Sequence, residues 1–394
     1  MADAGREAFI TGIGIVSCLG EGPEAHWQGL SSGKPQGDAA TLAPYVIHRI
    51  TAIDFDKQIP KKGDQRQMEP WQRIGTYAAG LALDSAGLKG QAELLTRTDM
   101  IVAAAGGERD LAVDGAILSA YGKVENLDRF VNERLMSDLR PTLFLAQLSN
   151  LLAGNISIVH GVTGSSRTFM GEESAGIDAV RIGLARIAAG QSDIVLVGGS
   201  SNCERPDIML LYEFSHYPLK DRYAPVWQRG PKGGVALASL GAFLVIESRT
   251  SAEKRGAKRL ARLSAVLSDR SRRNAGDVEA AMTRMWQALG VPDSGTVIVS
   301  GATGVEPATG EERAFLARHP DLAVRATGSY LGHGPEPQFA MNIALAAVAL
   351  GRGTLFQPGD DSGVERPTQG PFQRVVVSAI GHWRGEGMAL VEAP

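Results

Sequence analysis

Residues able to do nucleophilic, acid–base or metal chemistry are sparse and scattered in this chain. Cys18 and Cys203 lie far apart and form no C-x-x-C pair. That excludes a disulfide scaffold and a cysteine-rich zinc site, and it points to a reducing compartment, the cytoplasm. The seven histidines, His26, His48, His160, His216, His319, His333 and His382, are dispersed with no two at metal-ligand spacing, so no metal is expected. No G-x-S-x-G elbow, Walker loop or H-E-x-x-H occurs. Gly12-Ile-Gly14-Ile-Val-Ser17 opens like a dinucleotide fingerprint, but Ser17 stands where the third glycine would let a helix approach a pyrophosphate. A plain strand-to-helix turn explains those glycines, and no cofactor is expected.

The elements that would position any site alternate between short apolar runs and amphipathic stretches, the pattern of an α/β protein. Buried strands are expected at Ala8–Val16, Met100–Ala105, Ile194–Val197, Phe243–Glu247, Thr296–Val299, Arg374–Ala379 and Met388–Glu392. Helices are expected over Glu69–Ala86 and Glu173–Ala189, the second ended by Gly190. The basic stretch from Lys254 to Arg273 follows a strand near the midpoint, where two halves of similar architecture would meet, at 1–248 and 249–394. Its Lys254, Arg255, Lys258, Arg259, Arg262, Arg270, Arg272 and Arg273 form either a patch for an acidic partner or a solvated face.

The 394 residues, 44% of them hydrophobic, suffice for a full core. Forty Lys and Arg against 43 Asp and Glu give a net charge of −3, which supplies no bulk drive toward nucleic acid or an anionic membrane. The first residues are polar and acidic, without the plan of a signal peptide, and no apolar run is long enough to span a bilayer.

Several blocks occur in a telling order. Ala8-Phe-Ile-Thr-Gly-Ile-Gly-Ile-Val-Ser-Cys-Leu-Gly20 is soon followed by Trp27. Arg140-Pro-Thr-Leu-Phe-Leu-Ala-Gln-Leu-Ser-Asn-Leu-Leu-Ala-Gly-Asn-Ile-Ser-Ile158 leads to Gly161-Val-Thr-Gly164, then come Asp193-Ile-Val-Leu-Val-Gly-Gly199 and Ala252-Glu-Lys-Arg-Gly-Ala-Lys258. Together they resemble the β-ketoacyl-acyl-carrier-protein synthases of ketosynthase II type. The resemblance implies a thiolase-like fold, five layers α-β-α-β-α built from two similar halves, with a dimer interface beside the active-site helix. Active members use a cysteine nucleophile, two histidines and a supporting lysine and glutamate.

Carried over position by position, that set is missing. The nucleophile falls on Glu173 in Met170-Gly-Glu-Glu-Ser-Ala-Gly176, the first histidine on Ala302, the second on Ser329 and the supporting lysine on Val324. A carboxylate at a helix start is favoured by the dipole yet is a poor acyl carrier. His333 lies four positions beyond Ser329 and is a candidate substitute. Ser239 holds the position of an acidic residue. The Gly-Phe-Gly-Gly gate reads Gly381-His-Trp-Arg384, so His382 replaces the gating phenylalanine and Trp383 a glycine. Glu172, Glu173, His333, His382 and Trp383 are therefore candidate pocket and gate residues, with no catalytic residue expected.

The resemblance implies a chain-length-factor-like subunit that pairs with an active synthase, or with itself, and serves an acyl carrier protein. It is similar to the cysteine-less synthase of alphaproteobacterial very-long-chain fatty acid clusters that feed lipid A. Two alternatives stay open: altered chemistry, with Glu172 or Glu173 as base or with malonyl decarboxylation, and condensation through Cys203. The segment Asn155–Met170, with Ile156, Ile158, Val159 and Val162 as apolar edges, is the expected dimer interface. Lys61, Lys62, Arg66 and Arg73 are the expected carrier-protein docking residues, because Lys61-Lys-Gly-Asp-Gln-Arg66 resembles the family's basic docking helix.

Overall fold

The computed structural model describes residues 4–368 and 370–394, so the first three residues of the polar amino terminus lie outside it. Ten principal strands carry the fold: β1 Ala8–Ser17, β2 Asp99–Ala103, β3 Ser166–Phe169, β4 Ile194–Ser201 and β5 Leu240–Ser248. The chain continues with β6 Ala261–Asp269, β7 Thr296–Ser300, β8 Ala323–Ala326, β9 Arg374–Ile380 and β10 Glu386–Glu392. They hydrogen-bond in the order β8-β7-β9-β10-β6-β1-β5-β4-β2-β3. Each set of five repeats one connectivity, third-second-fourth-fifth-first, and the two sets meet where β1 pairs with β6.

Six helices fill the layers: α1 Pro70–Ser85, α2 Leu151–His160, α3 Glu172–Ala188, α4 Asp277–Leu289, α5 Ala308–Ala317 and α6 Gln338–Arg352. The central core joins Ile177 and Val180 of α3 and Ile343 and Leu345 of α6 to strand residues of both sets, such as Leu244 and Val377. On one outer side α1 and α2 pack over β1, β2, β4 and β5. On the other, α4 and α5 cover the second set. Helix, strand, helix, strand, helix is thus the order of layers.

Gly12 and Gly14 owe their place to packing. A Cβ on Gly12 would lie 2.3 Å from the Ala82 carbonyl and one on Gly14 2.0 Å from that of Ala78, so these glycines let β1 press against α1. All seven expected strands and both helices form. β3, β6 and β8 were not anticipated. The basic stretch before and along β6 serves the fold as well as the solvent: Arg255 pairs with the buried Glu247, Arg262 with Glu7 and Glu392, and Arg273 with the buried Glu386. Those three guanidinium groups are engaged by carboxylates of the fold, so the proposed acidic-partner patch loses them.

The expected dimer segment needs correction too. Ile156 and Val162 are fully buried in this chain's own core, whereas Ile158 is 73% exposed. β3 is the last strand of the sheet and, among the described residues, pairs on one side only, with β2. No described helix is long and apolar enough to cross a membrane.

Candidate functional site

The start of α3 is the focus of the site. Gly171 at φ 128° and Glu172 at φ 52° turn the chain sharply into the helix, and the left-handed conformation at Glu172 costs a non-glycine residue about 1 kcal/mol or more. The turn sends Glu173 into the interior, where it is 3% exposed. Gly176, one turn on, admits the loop that follows: a Cβ there would sit 2.4 Å from the Glu336 carbonyl oxygen. His333 and Glu336 are thereby brought against the helix start. Gly381 does the same for the last loop, because a Cβ on it would meet the Arg384 carbonyl at 2.1 Å and Glu173 Oε2 at 3.0 Å.

Three segments distant in sequence then converge. His333 Nε2 donates to Glu173 Oε1 at 2.8 Å and His382 Nδ1 donates to the same oxygen at 2.6 Å. All three residues are buried. Burial alone would raise the Glu173 carboxyl. The charge of His382, with the hydrogen bonds from His333 and His382, outweighs burial and holds it well below the usual carboxylate range. Burial lowers His333, against the pull of Glu173. The second ring nitrogen of His382, Nε2, is buried and has no hydrogen-bond partner among the described residues. The three donor atoms lie within 4.8 Å of one another, a spacing a metal ion could bridge, yet two N–H groups on one carboxylate oxygen already account for the convergence.

Beside this cluster lies a cavity of about 200 Å³. Trp71, Ile208, Leu211, Leu237 and Trp383 give it apolar walls, and Glu172, Asn202, Cys203, His333 and Glu336 supply polar groups. Burial raises the Glu336 carboxyl to about 8, helped by the nearby charges of Glu173 and Glu172, and also raises Glu172. Glu336 is therefore mostly a neutral acid at pH 7. Trp383 packs against Tyr212 and Tyr217 at ring separations of 5.3 and 5.6 Å, so the gate position is wedged by aromatics.

The other positions are closed. Ala302 and Val324 belong to the core of the second strand set, and Ser329 Oγ accepts from the Val226 N–H at 2.9 Å. Cys203 reaches the cavity wall, but its thiol bonds to Ser239 and to the His48 carbonyl, and burial pushes it up to about 12. Burial of this kind disfavours the thiolate that a nucleophile needs. Ser239 accepts from the Cys203 N–H and donates to Asn202. Lys61 and Arg66 are exposed, Lys62 pairs with Asp56, and Arg73 lies over the Phe55 ring at 5.6 Å.

Two contributors escaped the sequence reading. Glu336 sits in Gly-Pro-Glu-Pro, which reads as a solvated turn. Arg229 is a buried guanidinium with no carboxylate partner among the described residues. It donates to the carbonyls of Ala224, Gly234 and Thr303 and so pins the loop that carries Ala302. Burial lowers it to about 10, still charged at neutral pH.

A repeated five-strand connectivity around two central helices, with polar groups gathered at the start of one of them, is the thiolase-like arrangement of a ketosynthase. Residues 6–225 match the family described as beta-ketoacyl synthase, N-terminal domain, and the chain belongs to the β-ketoacyl synthase family. It is 25% identical over 269 residues to 3-oxoacyl-[acyl-carrier-protein] synthase 2 of Vibrio harveyi, a match covering 66% of this chain and 61% of that protein. Among solved structures, the ishigamide ketosynthase/chain length factor superposes with a TM-score of 0.81 at 18% identity, covering 99% of both chains. A type II polyketide ketosynthase, solved in complex with its acyl-carrier protein, superposes with a TM-score of 0.76 at 17% identity, covering 99% of this chain and all of that one. Both structural likenesses bear on the fold.

Proposed function

We propose that this chain is a noncondensing subunit of acyl-chain synthesis, a chain-length-factor-like partner of an active β-ketoacyl-acyl-carrier-protein synthase. The observation that carries this reading is the occupant of the nucleophile position. Glu173 is a buried carboxylate held by two imidazoles, where condensation needs a thiolate that can be acylated. Ala302, Ser329 and Val324 leave the remaining catalytic positions without imidazole or ammonium. Pairing is supported by the open edge of β3 and by exposed apolar side chains such as Ile158 and Met170, since an uncovered sheet edge invites another chain. The partner would be an active synthase or a second copy of this chain, and the products very-long-chain acyl groups of the kind that feed lipid A. Co-expression with candidate synthases tests the reading: a stable pair whose product length shifts when this chain is present is expected. Condensation by the isolated chain would refute it.

A second reading, malonyl decarboxylation or condensation by non-standard residues, is favoured by one observation. His333 and His382 restore imidazoles beside the nucleophile position, although from different places in the sequence. Carbon dioxide release from a malonyl thioester separates the two.

A further inference from the structure

Glu173, His333 and His382 bring three metal-ligating atoms to one place in the interior. His333 Nε2 lies 2.8 Å and His382 Nδ1 2.6 Å from Glu173 Oε1, and all three atoms lie within 4.8 Å of one another. Hydrogen bonds satisfy the two imidazole nitrogens, yet they use the carboxylate unevenly. Its two oxygens offer about four lone-pair sites, enough to give each donor an oxygen of its own. Both imidazoles turn instead to Oε1, and Oε2 accepts no hydrogen bond among the described residues. Crowding of that kind suits a single point charge held between the three side chains.

Two imidazoles and a carboxylate are also the donor set that divalent transition ions take in sites with open positions. With bonds of about 2.0–2.1 Å, a nitrogen and an oxygen on one ion stand about 2.9 Å apart at a right angle and about 3.4 Å apart at the tetrahedral angle. The observed separations are closer to the right-angled value, and small movements of the imidazoles complete it. Gly176 and Gly381 admit the segments that carry the two histidines, so ligands 160 and 209 positions from Glu173 are held in place with no motif in the sequence. The cavity lined by His333 leaves room beside the cluster for water or a further ligand. No second group of this kind forms among the described residues.

We propose that Glu173 Oε1, His333 Nε2 and His382 Nδ1 bind one divalent transition-metal ion, with its remaining positions turned to the cavity. On binding, each coordinating nitrogen gives up its hydrogen, to its other ring nitrogen or to solvent, and the ion replaces both hydrogen bonds. It then ties the start of α3 to the loop before α6 and to the turn between β9 and β10. The inference goes beyond the subunit reading and does not depend on it.

Titration of the chelator-treated full chain with Co²⁺, followed by visible absorption, tests this, and Zn²⁺ serves as the competing ion. One Co²⁺ per chain is expected, with ligand-field bands that Zn²⁺ removes by displacement. His333→Gln and His382→Gln should each weaken Co²⁺ binding more than roughly a hundredfold, beyond the cost of losing a merely supporting contact. His319→Gln removes an imidazole bonded to Asp293 and should bind as the unmodified chain does. Excess Zn²⁺ should raise the melting temperature of the unmodified chain and leave the first two variants unchanged. Absence of the bands, a stoichiometry other than one, or unchanged affinity in His333→Gln or His382→Gln would each overturn the proposal. Should one of those variants fail to fold, the other and the titration of the unmodified chain still decide. Pairing with a synthase is read separately by co-expression, so either reading can fail without the other.

Discussion

The Glu173 carboxylate and the His382 imidazole, 209 positions apart, meet at 2.6 Å in the interior. Their contact joins the start of α3 to the loop between β9 and β10, and His333 adds a third segment on the same oxygen. Removing the carboxylate would leave two buried imidazoles without their acceptor. Glu173→Ala is expected to cost about 3–5 kcal/mol, the usual result of breaking a buried pair from one side. Chemical denaturation of Glu173→Ala, His382→Ala and the double variant should show strong non-additivity. Additive losses would mean that the two side chains do not act as a pair.

Stability toward acid follows from the same cluster. Glu173 is depressed in the folded chain, so its contribution is present above the ordinary carboxylate value of 4.5 and is lost as pH falls below it. His333 is also depressed, and the unfolded chain takes up its proton first once pH drops below 6.5. Both effects have one sign. Thermal melts of the unmodified chain and of His333→Gln, run in parallel, should show the variant losing less stability than the unmodified chain as pH falls below 6.5.

Glu336 works in the opposite direction. Its raised value means that the folded chain holds a proton the unfolded chain has released, so stability is lost as pH rises from about 4.5 to about 8. Glu336→Gln should gain relative stability over that range, by roughly 1 kcal/mol per pH unit. Parallel denaturation curves at pH 5, 6.5 and 8 would reveal it. A constant difference between the two proteins would show that Glu336 is ionised throughout.

Much of the fold was legible because strand and helix periodicity is written in apolar side chains. β6 was missed because Arg262, Ser264, Ser268 and Asp269 break its apolar pattern: Arg262 pairs with Glu7 and Glu392, contacts that only tertiary structure supplies. β3 has exposed or half-exposed residues throughout and gives almost no apolar signal. At the site, Glu173 at the start of α3 was readable from position alone. The regrouping of imidazoles was only half readable. His333 and His382 were visible as candidates, but their meeting at Glu173 depends on the close approaches allowed by Gly176 and Gly381. No local rule links those distant glycines.

Glu173→Cys tests what the site lacks. A thiol at this helix start, beside His333 and His382, should lose its proton readily, so fast alkylation and a single slow acylation are expected. Turnover is not. Condensation needs malonyl in the same site, and Ala302, Ser329 and Val324 offer no imidazole or ammonium to the developing enolate. Mass spectrometry of the acylated variant, together with assay for a 3-oxoacyl product, reads both halves of this expectation. Product formation by the isolated variant would show that only the nucleophile is missing.

Ile156 and Ile158 lie two residues apart on α2 yet should answer a buried charge differently. Ile156 is fully buried in a cluster with Tyr77, Ala153 and Val162, whereas Ile158 is 73% exposed. Asp at position 156 would bury an unpaired carboxylate, and the chain should fail to fold or lose several kcal/mol, on the order of 3–5. Asp at position 158 meets solvent in the isolated chain and should change its melting by no more than about 0.5 kcal/mol. In an assembled pair the same carboxylate would be buried against a neighbouring chain, so sedimentation should shift from dimer toward monomer and co-purification with a synthase should fail. An Ile158→Asp chain that still pairs at micromolar concentration would place the interface elsewhere than the edge of β3.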